Sequence, residues 1–95
     1  MVIGTSMIEL HLPGAHSLKD KRRILKSLMA RLHKEFNVSC GEIELHETWQ
    51  SAIIGVAVVS TEAPHANRVL NSVVNWIELH RPDLTVVDHT VEIIH

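Results

Sequence analysis

Lys19, Lys21, Arg22, Arg23 and Lys26 place five cations within eight consecutive residues. The chemistry open to such a cluster is the holding of anions. Ser17 and Asp20 just before it have the spacing of a helix cap, with Ser17 as N-cap and Asp20 as a short-armed form of the capping-box acid. Lys19, Lys21, Arg22 and Arg23 therefore fall in the first two turns of a helix that starts at Leu18, where the macrodipole disfavours each by about 0.3–1 kcal/mol. A charge run on a helix is usually a solvated face. The competing reading is an anion site, because amides at a helix N-terminus already favour phosphate and nearby cations strengthen that field. Asp20 and Glu35 supply local counter-charge.

Other reactive residue types do not assemble into a chemistry. Eight histidines are many for this length, and protonating all of them would reverse the sign of the net charge. Glu9, His11 and His89 could meet across neighbouring strands, but a metal needs three or four converging ligands, and strict alternation puts His89 on the face opposite Glu9 and His11. No metal or cofactor is expected. No serine–histidine–acid order, glycine-rich nucleotide loop or paired-carboxylate motif occurs, so no catalytic residue is assigned. Cys40 has no evident activating neighbour and reads as a buried strand residue. Trp49 and Gln50 sit at a predicted hairpin. The tryptophan either covers the end of the core with its indole N–H bonded to a carbonyl, or stands exposed beside the cations, with Gln50 free to bond a base or the turn.

These residues need a scaffold, and the composition bounds it. A chain of 95 residues with 45% hydrophobic content is expected to form a single domain, 1–95, around one core. A net charge of −2 argues against nucleic-acid binding by the global field, so any such contact must use a local patch. A lone cysteine excludes an internal disulfide and a multi-thiolate zinc site, which favours a reducing cytoplasm. No basic-flanked leader and no membrane-length apolar run is present, so a soluble, unprocessed, cytoplasmic protein is expected.

Hydrophobic periodicity supplies the elements. Val2 to Leu12 reads as a strand with Ile8, Leu10 and Leu12 on one side and Met7, Glu9 and His11 on the other. Pro13-Gly14 breaks it. Leu18, Leu25, Leu28, Met29, Leu32 and Phe36, with Ile24 at the margin, form the apolar stripe of the first helix. Asn37 is suited to end that helix in the left-handed conformation. Val38 to Leu45 reads as a second strand with a bulge near Gly41, and His46 to Gln50 as the hairpin. Ser51 to Ser60 is apolar and β-branched, as in a central strand. Pro64 opens a second helix that ends before Pro82, with Ala66, Val69, Leu70, Val73, Trp76 and Ile77 as its stripe. Leu84 to Ile94 alternates again, with Val87, His89, Val91 and Ile93 against Asp88, Thr90 and Glu92. The order βαββαβ predicts an α+β, ferredoxin-like fold, with a four-stranded antiparallel sheet of order 4-1-3-2 and both helices on one face.

Beyond pattern, Leu12-Pro13-Gly14, Ser17-Leu18-Lys19, Lys21-Arg22-Arg23, Phe36-Asn37-Val38-Ser39, Trp49-Gln50 and Gly55-Val56-Ala57 together resemble the YlxP-like family of small bacterial proteins of unknown function. The likeness runs from about Ile8 to Ile94, with Glu47 standing where that family is expected to carry aspartate. The resemblance implies a ferredoxin-like fold and a bacterial cytoplasmic protein. Members are often encoded beside genes for translation initiation and ribosome maturation, which implies an RNA or ribosome connection, and no activity is established for them.

The expected function is a non-catalytic module that binds structured RNA or the ribosome through Lys19, Lys21, Arg22, Arg23 and Lys26, with Trp49 and Gln50 at the margin. Sheet-face RNA reading is disfavoured, because aromatics are few and Glu9, Asp88 and Glu92 repel phosphate. That open face is instead expected to pair with a second copy as a homo-oligomer. The alternative function is a small-molecule or metal-responsive regulator using the open face and its histidines.

Overall fold

The computed structural model describes residues 1–44 and 48–95, so the expected end of the second strand at Leu45 and the hairpin positions His46 and Glu47 lie outside the described residues. The elements are β1 (Val2–His11), α1 (Leu18–Glu35), β2 (Ser39–Glu44), β3 (Ser51–Ser60), α2 (Ala63–His80), β4 (Thr85–His89) and β5 (Glu92–Ile94). The strands form an antiparallel sheet of order β2-β3-β1-β4, with β5 also paired to β1. This is the ferredoxin-like order 4-1-3-2, with the fourth position shared by two short strands.

The strand period of two builds the core. Val2, Gly4, Ser6, Ile8 and Leu10 of β1 and Ala52, Ile54, Val56, Val58 and Ser60 of β3 are the buried alternates. They pack with Leu25, Leu28 and Leu32 of α1 and Ala66, Leu70, Val73, Val74 and Ile77 of α2 in one apolar cluster. Val69 and Trp76 are half-buried at the edge of the α2 stripe. The opposite sheet face carries no helix. Among the described residues, no helix is long and apolar enough to cross a membrane.

Four local expectations are corrected. Leu18 does open α1 after the Ser17 cap, but it is exposed, because side chains on a helix lean toward its N-terminus and the first one leans off the end. Asn37 does not adopt the left-handed conformation. Phe36 ends the helix in extended backbone, its N–H bonded to the Leu32 carbonyl, and no residue has positive φ among the described residues. The register shift in β2 falls between Glu42 and Glu44 rather than at Gly41. Ile43 is the extra residue, and it lies across Gly55, where a Cβ would come within 2.8 Å of its Cγ2.

The last strand is also interrupted. Val86 pairs with Leu10 and Asp88 with Glu9, so a shift at Val87 leaves that side chain exposed rather than in the core. Past the shift, His89 lies opposite the core residue Ile8 but remains exposed, and Ile93 resumes the inward phase opposite Gly4. Thr90 bridges the break, donating its N–H to the Met7 carbonyl (3.0 Å) and accepting from the Met7 N–H at its Oγ1 (3.3 Å).

Candidate functional site

The N-terminus of α1 is capped as its sequence implies. The Asp20 N–H donates to Ser17 Oγ (3.0 Å), and the Asp20 carboxylate accepts from the His16 N–H at Oδ2 (3.1 Å) and from Arg23 Nη2 at Oδ1 (3.3 Å). A carboxylate thus already stands at the positive end of the helix, offsetting the cost of the cations behind it. The anion field of this region comes from side chains more than from free amides.

Those side chains divide into two sets. Lys19, Arg22, Arg23 and Lys26 are exposed and follow the spacing i, i+3, i+4, i+7, which sets them in one ridge on the solvent side of α1. Arg23 is paired with Asp20; Lys19, Arg22 and Lys26 have no ion-pair partner among the described residues. His33 and Lys34 extend the exposed ridge toward the C-terminus.

Lys21 belongs to the other set. It is 2% exposed, and its Nζ lies 3.6 Å from Glu42 Oε1 on β2. Its expected place among the phosphate-binding cations is therefore not realised. The reason was present in the spacing, since Lys21, Leu25, Leu28 and Leu32 fall on one heptad-like row that is the inward row of α1. The cation is drawn inside by a carboxylate from a neighbouring strand that helix periodicity alone could not identify.

Trp49 and Gln50 lie in the turn that leads into β3. The Gln50 carbonyl accepts from the Leu12 N–H (2.8 Å), and His11 Nδ1 lies 3.0 Å from the same oxygen. These contacts anchor the turn to the end of β1, from which the chain runs directly into the α1 cap, so the turn and the ridge's leading end share one end of the sheet. Trp49 is 49% exposed, and no hydrogen bond occupies its indole N–H among the described residues. It stands out from the surface more than a lid over the core would.

Cys40 has a neighbour that the strand pattern did not reveal. Its Sγ lies 3.4 Å from His33 Nε2 and 3.9 Å from the Met29 carbonyl oxygen. Burial nevertheless pushes the thiol above its ordinary pKa, so the protonated form prevails at neutral pH and the pair makes a weak nucleophile. Alkylation of Cys40 by iodoacetamide is expected to be slower than that of free cysteine at pH 8 and to go on rising with pH beyond the point where free cysteine levels off. A rate equal to free cysteine at pH 7 would mean that the His33 contact outweighs burial. Elsewhere, no three His, Cys, Asp or Glu side chains converge on a metal-sized site among the described residues. Glu9, Asp88 and His89 border only a small hollow of about 80 Å³.

Known proteins place this arrangement in a family. The chain is similar to a designed protein, Foldit4, with a TM-score of 0.55 over 100% of this chain and 98% of that one at 9% identity, a likeness of fold alone. It is 36% identical over 77 residues to the uncharacterized protein YlxP of Bacillus subtilis (strain 168), covering 81% of this chain and 84% of that protein. The family described as "Protein of unknown function (DUF503)" matches residues 3–91. With nearly the whole chain matched, this protein belongs to the DUF503 family, in agreement with the YlxP-like character of its sequence words.

Proposed function

We propose that the protein is a non-catalytic, cytoplasmic binding module, a single domain that docks structured RNA of the ribosomal kind through the exposed ridge of α1. The observation that carries this reading is the set Lys19, Arg22, Arg23 and Lys26 on one solvent face, three of them without an acidic partner among the described residues. Lys19, Arg22 and Arg23 stand near the N-terminus of α1, where the helix dipole opposes cations and phosphate contacts would offset that cost. Trp49 supports the reading as an exposed stacking surface at the same end, with Gln50 beside it. The other face repels phosphate through Glu9, Asp88 and Glu92. A metal- or small-molecule-responsive role using the histidines has less support, because the hollow beside Glu9, Asp88 and His89 is well below the roughly 300 Å³ of ordinary ligand pockets, and the wider trough of about 540 Å³ on the same face is lined by no histidine. The reading includes a second copy of the chain on the open sheet face.

Binding to total ribosomal RNA and to ribosomal subunits, titrated at low and high salt, tests the ridge. With about three to four phosphate contacts, log K is expected to fall against log salt with a slope of roughly −2 to −4. The Arg22→Glu, Arg23→Glu variant is expected to bind at least about tenfold more weakly at low salt, with its unfolding midpoint little changed because both positions are exposed. Equal binding by variant and wild type would make the ridge an ordinary solvated face.

A further inference from the structure

The uncovered sheet face is far more apolar than its acidic residues suggest. By register, Ile3 lies between Val59 and Ile94 on this face, and Val59 is 64% exposed. Met7 lies opposite Gly55, which is in turn opposite Gly41. Ile43 covers Gly55, whereas a Cβ at Gly41 would meet nothing within 4 Å. Protruding Met7 and Ile43 therefore stand around a trough of about 540 Å³ whose floor includes Gly41 and Ala57, and Val59 protrudes farther along β3 on the same face. A two-fold interface needs knobs and hollows on one and the same surface, and this face carries both.

Its size also fits. Strand positions of ten, six, ten and eight residues, at about 3.3 Å per residue and about 4.8 Å between strands, make a face of roughly 540 Å², near the roughly 600 Å² per partner at the low end of stable interfaces. Homodimer interfaces are also the more apolar class, while Glu9, Asp88 and Glu92 make the face a poor seat for nucleic acid.

We infer that two copies of the chain pack sheet to sheet and thereby turn the two α1 ridges outward on opposite sides, so that one dimer holds two RNA segments. The pairing stands on the sheet face alone; the bivalency rests on the RNA reading above.

Light scattering at micromolar concentration is expected to return twice the 10.7 kDa chain mass, and Val59→Glu, at an exposed position, to return the single mass with its circular dichroism retained and an unfolding midpoint that, unlike the wild type's, does not depend on protein concentration. A single mass for the wild type, or a dimer indifferent to both Val59→Glu and Met7→Glu, overturns the pairing. With two ribosomal RNA fragments carrying donor and acceptor dyes, the wild type is expected to bring the dyes together. Val59→Glu is expected to bind each fragment without joining them. A dimer that binds RNA but never joins two fragments overturns bivalency, whereas a dimer that binds no RNA removes the RNA reading and leaves the pairing standing.

Discussion

Replacing Lys21 with methionine is expected to destabilise the domain by about 3 kcal/mol, near the lower end of what breaking a buried ion pair costs. Lys21 is buried on the inward row of α1, and Glu42 Oε1, 3.6 Å away, is itself shielded from water and accepts no hydrogen bond among the described residues. Methionine would fill much of the space of the lysine stem but leave the carboxylate facing an apolar side chain. The penalty then comes from the stranded charge on Glu42 more than from lost packing. The double variant Lys21→Met, Glu42→Leu removes both charges of this pair and is expected to be more stable than Lys21→Met alone. Urea unfolding of the single and double variants measures this. A loss below about 1 kcal/mol for Lys21→Met would mean that water reaches Glu42 and the pair contributes little. RNA affinity of the double variant is expected to equal that of the wild type, because Lys21 is not part of the exposed ridge.

Gly4→Val is expected to cost about 2–3 kcal/mol by overpacking. Gly4 occupies an inward position of the central strand β1, where a Cβ would lie 3.0 Å from Leu70 Cδ1, 3.1 Å from Ala66 Cβ and 3.3 Å from Val58 Cγ1. Ala66 Cβ is fixed to the helix backbone and Leu70 is fully buried, so two further methyl groups would push α2 off the sheet. Leu70→Ala alone should also destabilise, by about 2–5 kcal/mol, through the cavity it leaves. Combined with Gly4→Val it supplies the missing space, so the double variant is expected to be markedly more stable than additivity allows. Additive losses in thermal or urea unfolding would show that α2 accommodates the valine without Leu70 moving.

Where one element's own period carried the information, the sequence sufficed. The Ser17 cap, the alternating β1, the apolar β3 and the two helix stripes determined the element order, and that order determined the ferredoxin-like sheet, because short connections and right-handed crossovers leave few alternatives. The exposed ridge was equally legible, since Lys19, Arg22, Arg23 and Lys26 share a helix face whatever lies beneath it. Tertiary structure decided what depends on a partner from another element. Glu42 drew Lys21 inside. The bare Gly55 gave Ile43 its place and moved the β2 irregularity away from Gly41. Pairing with β1 broke the final strand around Thr90 and shifted Val87 out of the core. His33 met Cys40 only when α1 folded against β2. Periodicity records which face a residue occupies on its own element; the energy of a charge pair or a cross-strand contact depends on two residues far apart in the chain, and only the packed sheet and helices bring them together.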